Sequence, residues 1–299
     1  MPASRGGFAQ LLAPGLRQII YNELGMHPEE FSQIFNVYPS TRAYEEDLLV
    51  AGLGTVPAKP EGTAIAFDDP IQGGSQRYTH TTYGLGFQVT LEMWEDDLYG
   101  VIRQVSQDFA GSIRQTIEVN SINTLVNSFS STGTTSIDGV SLCNTAHPLL
   151  GGGTYSNRSA TDIALSTTGV QELLLLFEKQ QNERGLLKRM VPRYLLTSVD
   201  KQFIAGEILH SSYKPYTGNN EINVYQGRLE PMVNHFLTAS GPWWVLSERS
   251  EHTLKFYWRM QPRYQAQDDY NTLGSNYSVV FRQSNGVTYW HGICGSNAP

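Results

Sequence analysis

The residues that could do chemistry are few and far apart. Cys143 and His147 are four positions apart, but no second pair of metal ligands follows at the spacing of a zinc site. A cysteine nucleophile activated by this histidine is conceivable. The surrounding stretch, SLCNTAHPLLGGGTYSN, has the composition of a surface loop, however, whereas a catalytic thiol should be held by regular structure. We therefore expect two loop residues here, with no metal and no cofactor.

The remaining chemical patterns are typical of turns and helix ends. Gly151–Gly153 precede neither a helix nor a Lys-Ser/Thr pair, so they do not form a phosphate-binding loop. Adjacent carboxylates, which could suggest a glycosidase pair, occur at Asp68-Asp69, Asp96-Asp97 and Asp268-Asp269. The first and last pairs stand among turn-forming residues, and the middle pair stands at a helix start, where the macrodipole favours negative charge. The sequence therefore predicts no catalytic site.

The composition restricts the class of protein further. A chain of 299 residues can bury a large core in one or two domains, and 40% apolar content excludes global disorder. A net charge of −7 argues against a dedicated nucleic-acid binder. The two cysteines indicate ordinary thiols in a reducing compartment, and neither a secretory signal nor a transmembrane segment is expected.

The central predicted element is a helix from Leu91 to about Ser128, because apolar residues recur there every three or four positions. The stripe consists of Trp94, Leu98, Ile102, Val105, Phe109, Ile113 and Ile117. Thr90 stands at the N-cap position, while Gly100 and Gly111 each weaken the helix by about 1 kcal/mol. If continuous, the helix is about 57 Å long at about 1.5 Å per residue, a length suited to a strut or an interface.

The segments before this helix are predicted to need a surface outside themselves. Residues 1–60 are predicted to be an arm, with a helix from about Gly15 to Gly25, that lies across a neighbouring subunit or along its own domain. Residues 61–90 are predicted to form a β-hairpin with its turn in DDPIQGGSQ. A two-stranded hairpin is marginal alone, so we expect it to rest on another surface.

The second half of the chain is predicted to begin with an α/β layer. A helix opens with the capping box Thr168–Gln171 and ends at Gly185, and the strand MVPRYLLTS and a helix capped by Ser198 follow. A polar loop then leads to five predicted strands, FLTAS, WWVLS, TLKFYWRM, NYSVVFRQ and TYWHGICG, with a turn at Ser284-Asn285-Gly286. This order of elements indicates an α+β protein.

Three stretches of sequence, in this order, resemble one protein family. They are His147-Pro148-Leu149 with Gly151-Gly152-Gly153-Thr154-Tyr155-Ser156-Asn157; Pro192-Arg193-Tyr194-Leu195-Leu196 with Ala205, Ile208, Leu209 and Ser211; and Trp244…Leu246, Tyr277…Val279 and Trp290-His291-Gly292. Together with the arm, the hairpin and the long helix, they resemble the major capsid proteins of tailed phages with the Hong Kong 97-type fold. More narrowly, the chain is similar to the Mu-like major head subunit group.

The resemblance implies an α+β fold with named parts: an N-terminal arm (1–60), an E-loop hairpin (61–90), a peripheral (P) domain with the spine helix (91–165 and 251–299) and an axial (A) domain (166–250). It implies a non-enzymatic virion protein that assembles in the host cytoplasm, as pentamers and hexamers, into an icosahedral shell. Implied partners are double-stranded DNA held by weak non-specific contact, a portal, and scaffolding or decoration proteins, with no membrane and no cofactor.

Contacts between subunits are expected at the hairpin, at the polar loop and at the basic run 184–193, where solvation is the alternative role and contact with phosphate a lesser one. The candidates are Phe67, Asp69, Ile71, Arg77, Tyr78, Arg184, Arg189, Tyr216, Asn219 and Asn220. Family members that crosslink covalently use a lysine in the E-loop and an asparagine in the P domain. Residues 61–90 contain no lysine, and Lys59 lies at the base of the predicted hairpin, so we expect no crosslink.

Two other functions stay open at this point. An encapsulin-like nanocompartment with enzyme cargo would share the architecture, and the content of the particle would distinguish it from a phage head. From another class of protein, a soluble hydrolase could use an acid pair or Cys143 with His147.

Overall fold

A computed structural model of the chain describes residues 7–26, 28–96, 100–215, 221–269 and 274–298. The helices are α1 (Gly7–Met26), α2 (Phe31–Ile34), α3 (Leu91–Glu95), α4 (Val101–Val126), α5 (Thr167–Glu178) and α6 (Gln202–His210). The strands are β1 (Asn36–Pro39), β2 (Tyr44–Ala51), β3 (Ile71–Thr79), β4 (Thr81–Val89), β5 (His147–Pro148), β6 (Thr154–Tyr155), β7 (Tyr194–Ser198), β8 (Glu230–Asn234), β9 (Pro242–Leu246), β10 (Leu254–Asp269), β11 (Gly274–Val287) and β12 (Ile293–Asn297). The predicted α+β class is confirmed.

The first sheet has the strand order β1-β10-β11-β4, and α4 lies along it. Ile102 packs in one cluster with Tyr277 near the start of α4, and the Asn285 side chain donates to the Asn120 carbonyl, at 2.8 Å, near its end. Between these contacts the helix rises about 27 Å and the strand extends about 26 Å, so helix and strand match in length. The described stripe residues of α4 are buried apart from Val105, which is half-buried.

The predicted helix from Leu91 is not continuous. Thr90 does cap α3, because its Oγ1 accepts a hydrogen bond from the Met93 amide at 3.2 Å. Gly100 then adopts a left-handed backbone, with φ of 71°, before α4 begins at Val101. This conformation lies outside the helical region, so Gly100 interrupts the helix rather than merely weakening it. α4 has 26 residues and is therefore about 39 Å long.

Much of the predicted arm is part of the subunit core. α1 packs on α4 through Ile20 and Leu24, and the side chains of Phe31, Ile34 and Phe35 join the same cluster. β1 pairs in parallel with β10. The described side chains from Leu16 to Phe35 therefore pack along the subunit's own domain, which was the alternative to contact with a neighbour.

The hairpin is formed by β2 and β3 rather than within residues 61–90. Tyr44 pairs with Thr79 and Ala51 with Ile71, whereas β4 pairs with β11 in the first sheet. The residues predicted as a turn, from Ile71 onward, lie in β3. The connection between β2 and β3 is the segment 52–70, which has no helix or strand. Lys59 therefore lies within this connection and not at the hairpin base, which corrects the premise of the crosslink prediction.

The second sheet, with the order β12-β9-β7-β8, is buried on both faces. Successive side chains of a strand point to opposite faces, and here Trp243 belongs to one core cluster and Trp244 to another. Leu195 and Leu196 divide between the same two clusters. The predicted core role of the tryptophan pair is confirmed. β12 belongs to this sheet and not to the first one, which differs from the predicted grouping of residues 251–299.

Three boundaries in the second half differ from the predictions. The cap of α5 is Ser166, whose hydroxyl accepts from the Gly169 amide at 3.1 Å, and the helix ends at Glu178 rather than at Gly185. FLTAS contains no strand, while β8 begins at the end of the sequence assigned to the polar loop. Ser166 is the cap because its hydroxyl reaches the amide of the third helical residue, one of the free amides of the first turn.

The predicted turn at Ser284-Asn285-Gly286 lies inside β11. Asn285 is used for packing, because its amide donates to the Asn120 carbonyl of α4. A side chain at Gly286 would meet the Tyr78 ring, since an added Cβ would lie 2.8 Å from it. These two residues are therefore required by tertiary contacts rather than by a turn.

A buried carboxylate holds the N-terminal segment on α4. Glu118 is 1% exposed and accepts hydrogen bonds from the Glu30 amide at 3.0 Å and the Phe31 amide at 2.8 Å. Arg114, one turn earlier, donates to the Leu24 carbonyl at 2.7 Å and forms an ion pair with Glu29. Burial raises the pKa of Glu118 to about 7, although the two amides and Arg114 act in the opposite direction.

We expect the stability of the subunit to depend on pH through Glu118. Because the folded chain holds this proton more tightly than an unfolded chain with the ordinary pKa of 4.5, stability falls as the pH rises from about 4.5 to about 7. The fall amounts to at most about 3 kcal/mol. Urea unfolding of the unassembled chain at several pH values should show this slope, and Glu118→Gln should lack it. Equal slopes in the two proteins would contradict the assignment.

Candidate functional site

The segment 52–70, which we call the hairpin loop, exposes apolar side chains that find no partner within the described part of the subunit. Its large apolar side chains face solvent: Val56 is 95% exposed and Phe67 is 96% exposed, with Leu53 and Ile65 also exposed. Exposed apolar groups at this density mark a contact surface in a soluble protein. The loop cannot bury them itself, because it forms no helix or strand on which they could pack.

Both ends of the hairpin loop are held by Arg184. The guanidinium donates to the Gly52 carbonyl at 2.8 Å, to Asp68 Oδ1 at 2.9 Å and to the Asp69 carbonyl at 2.5 Å. Asp68 also accepts from the Gly54 amide at 2.7 Å. The hydrogen bond from Gly54 and the charge of Arg184 lower the pKa of Asp68. The loop therefore projects from a fixed neck, formed by Gly52 and by Asp68-Asp69.

A cavity of about 170 Å³ lies below this neck. Its lining includes Leu49–Gly52 from the hairpin and Asn182–Arg184, Lys188, Tyr289 and His291 from the rest of the subunit. Glu183 is buried there, and neither carboxylate oxygen has a hydrogen-bond partner among the described residues. Burial raises its pKa, and burial lowers the pKa values of Lys188 and of His291, the latter to about 4. The cavity is thus lined by charged and aromatic side chains, and no serine, threonine or cysteine is among its lining residues.

The structure brings together two of the predicted contact residues and buries a third. Asp69 and Arg184 contact each other within the subunit, so the Arg184 guanidinium is engaged in the neck. Tyr78 is 3% exposed and its hydroxyl lies 2.8 Å from the Thr288 hydroxyl, and burial raises its pKa. Tyr78 is thus a core residue of the subunit, which corrects its choice as a contact residue.

The other predicted contact residues are dispersed. Phe67 is exposed in the hairpin loop, and Ile71 pairs with Ala51 at the neck. Arg77 forms an ion pair with Glu46 and lies over the Tyr44 ring. Arg189 is exposed on the segment before β7. Tyr216, Asn219 and Asn220 lie outside the described residues.

Sequence reasoning missed Asp68 as the partner of Arg184, and it missed Val56 as part of the loop surface. The sequence did offer an indication in the Gly/Pro-rich stretch AGLGTVPAKPEG, which is too rich in turn formers for a buried segment. β2, which sets the start of the hairpin loop, was not predicted because its residues show no clear alternation of apolar and polar side chains.

Cys143 and His147 are buried and have no access to a substrate. Burial raises the pKa of the Cys143 thiol to about 12, so it is not an activated nucleophile. His147 contacts Asp138 through Nδ1 at 2.5 Å and Asn157 through Nε2 at 3.0 Å. Since Asn157 donates its own amide group to the Leu142 and Ile293 carbonyls, this cluster fixes the loop between α4 and α5 against β12.

The glycine run does form a turn, as expected. Gly152 and Gly153 have φ of 96° and 86°, and they connect β5 to β6. No group of three or more potential metal ligands occurs in the described ranges. Within the same ranges, no helix has the length and hydrophobicity that a membrane span requires.

Comparison with known proteins identifies the class to which this fold belongs. Residues 74–293 match the family described as phage capsid protein. The matched region covers most of the chain and includes α4 and three strands of each of the two four-stranded sheets. No curated protein matches the sequence.

Solved capsid structures share the fold at low sequence identity. The procapsid of bacteriophage JBD30 matches with a TM-score of 0.54 and 16% identity, over 100% of this chain and 76% of that chain. The capsid of cyanophage P-SCSP1u matches with a TM-score of 0.62 and 10% identity, over 91% and 88%. Mycobacterium phage Patience matches with a TM-score of 0.56 and 12% identity, over 97% and 87%.

The fold therefore defines a subunit of a viral shell, with a long helix against a peripheral sheet, a second sheet covered by helices and a projecting hairpin loop. The chain belongs to the phage capsid protein family, and its fold is of the Hong Kong 97 type. It is a major capsid protein, the repeating unit of an icosahedral head.

We expect Arg184→Ala to loosen the hairpin loop without unfolding the subunit, because it removes the hydrogen bonds that join both ends of the loop. Thermolysin, which cleaves before large apolar residues, should cut the loop about fivefold faster, the factor for about 1 kcal/mol. Arg189→Ala is the matched control, since Arg189 is exposed and outside the neck. Identical cleavage of wild type and Arg184→Ala would show that the neck does not restrain the loop.

Proposed function

We propose that copies of this chain assemble as pentamers and hexamers, and that the hairpin loop of each copy lies on an adjacent copy. The observation that carries this proposal is the exposure of Val56, Ile65 and Phe67 on a loop with a fixed neck. Burial of apolar surface stabilises association by about 25 cal/mol per Å² before entropic costs. Identical subunits related by rotation can each give and receive such a loop, which closes a shell.

The remaining contact residues belong to the same proposal. Phe67 and Ile71 lie on or next to the loop, while Arg77 and Arg189 are basic positions elsewhere on the surface. Tyr216, Asn219 and Asn220 are proposed as contacts near the capsomer axis on the basis of their sequence alone. The two cores divided by the second sheet are proposed to correspond to the peripheral and axial domains.

We infer that the shell encloses phage double-stranded DNA through weak and non-specific contacts. The net charge of −7 supports this, because an acidic wall can enclose a polyanion without gripping it. The JBD30 capsid in one solved structure is decorated with trimers of a minor capsid protein. For this chain we likewise propose that a portal and scaffolding or decoration proteins are partners of the shell. We also propose that the shell assembles in the host cytoplasm. The burial of Cys143 and His147 supports a structural rather than enzymatic role.

The loop proposal is tested by the triple variant Val56→Ser, Ile65→Ser and Phe67→Ser. We expect wild type to form closed particles in electron micrographs, and the variant to remain as small soluble species with an unchanged unfolding midpoint. Leu175→Ser, which changes an exposed apolar residue on α5, serves as the control and should assemble. Assembly of the triple variant at wild-type concentrations would contradict the proposal. Double-stranded DNA in particles from infected cells would separate a phage head from a cargo compartment.

We also expect the subunits to remain free of covalent crosslinks, even though Lys59 lies in the hairpin loop. Particles that are boiled in denaturant and run on a reducing gel should give one band at 33.3 kDa. A ladder of multiples that is lost in Lys59→Arg would show that this lysine crosslinks, and would overturn the prediction.

A further inference from the structure

The first sheet carries unpaired arginines in the middle part of β10 and β11. Arg282 follows Phe281, which faces the core, so its side chain leaves the opposite face of β11. Arg263 pairs with Val280, two residues from Arg282, and therefore shares this face. We call Arg259, Arg263 and Arg282 the arginine group. None of the three has a hydrogen bond or ion pair with any described residue.

A break in the strand register brings the third arginine into this group. Trp258 pairs with Gln283 and Met260 with Arg282, so Arg259 is an extra residue in β10. Such a bulge re-aims a side chain that would otherwise follow the alternation. Burial lowers the pKa of His80, whereas the charge of Glu45 raises it. The charges of Arg282 and Arg259 lower this pKa further, which is consistent with both guanidinium groups lying on the His80 side of the sheet. The Nε atoms of both arginines are buried without a partner among the described residues.

The end of the same sheet at which Val89 pairs with Ser275 is acidic. α3 follows β4 there and carries Glu92, Glu95 and Asp96, which are exposed and form no ion pair in the part of the chain that is described. We call these three the acidic group. In β10, Asp268 and Asp269 are placed at this end by their pairing with Ser275 and Gly274. The acidic residues therefore collect where the arginines are absent.

The two groups cannot neutralise each other within one subunit. Arg282 pairs with Thr82, whereas the acidic group begins just after Val89, about 23 Å farther along β4. Arg263, the closest of the arginines, is still about 17 Å from Asp268 along β10. Both distances exceed the reach of an arginine and a glutamate together. Arg103, the cation closest in sequence to the acidic group, forms no ion pair with a described carboxylate.

We propose that the first sheet docks head to tail on a second copy of this chain, with the arginine group of one copy facing the acidic group of the next. This inference rests on the proposed shell assembly and names a second contact, separate from the hairpin loop. A head-to-tail contact between copies related by rotation, the kind that closes a ring, brings the arginine group of one copy to the acidic group of the next. Opposite charges at such a contact set orientation and register.

Nucleic-acid phosphate is the competing occupant of the arginine group. The observations favour a second copy, because each subunit itself presents an unpaired acidic group opposite in sign to the arginine group. A phosphate contact would leave the carboxylates of the acidic group without a role. Variants of the acidic group distinguish the two occupants, because negatively charged DNA would not bind to carboxylates.

The test reverses each group in the full-length chain and then both together. Glu92→Arg with Glu95→Arg should raise the concentration for half-maximal assembly at least about tenfold, because like charges then face each other. Arg263→Glu with Arg282→Glu should do the same, and the chain with all four changes should return close to wild type. Glu248→Arg with Asp200→Arg has the same change in net charge on exposed carboxylates outside the first sheet, and it should assemble normally.

The outcomes separate this inference from the proposed function. Normal assembly of Glu92→Arg with Glu95→Arg, whose changes lie on an exposed helix and do not threaten folding, overturns the inference while leaving the shell intact. Failure of the four-residue variant to recover also overturns it. Arginine variants that assemble but lose packaged DNA would assign the arginine group to phosphate. A wild-type chain that forms no particles would instead refute the proposed function.

Discussion

The structure depends on a sheet that has to be buried on both of its faces. β9 carries apolar side chains at every position, and β7 is buried from Leu195 to Ser198, so neither face of the second sheet meets water at these two strands. Trp243 and Leu195 require a cover from α5 and α6 on one face. Trp244 and Leu196 require a cover on the other face, which comes from the end of α4 and the loop after it. The two hydrophobic cores therefore lie on the two faces of this one sheet.

This constraint explains the role of the buried polar groups. The loop between α4 and α5 must cross the second sheet without regular structure, so its polar groups need partners from side chains. Asn157 supplies several of them, because it accepts from the Asn144 amide and donates to Leu142 and Ile293. His147 and Asp138 complete the cluster. Residues that resemble a catalytic arrangement in the sequence thus stabilise a covering loop.

Some segments of the subunit find all their partners within it, whereas others do not. The N-terminal segment finds hydrogen-bond partners, because Glu118 and Arg114 bind its backbone to α4. The hairpin loop is hydrogen-bonded at its neck, but its apolar side chains have no packing partner and are exposed to solvent. Ordering the backbone of this loop costs conformational entropy, and within the subunit no burial of apolar side chains offsets that cost. A shell supplies the missing contacts, because every copy meets identical neighbours.

The sequence alone determined the elements whose pattern is local. The buried stripe of α4, the Thr90 cap, the strands around Leu195 and Trp244 and the family resemblance follow from spacing and residue type. Tertiary structure alone decided the hairpin partners and the strand at Asn285, because both depend on contacts with residues far along the chain. Strand pairing leaves no local trace in a segment such as β2, whose alternation is weak. The neck formed by Arg184 is also of this kind, since 116 positions separate it from Asp68 and only the fold brings them together.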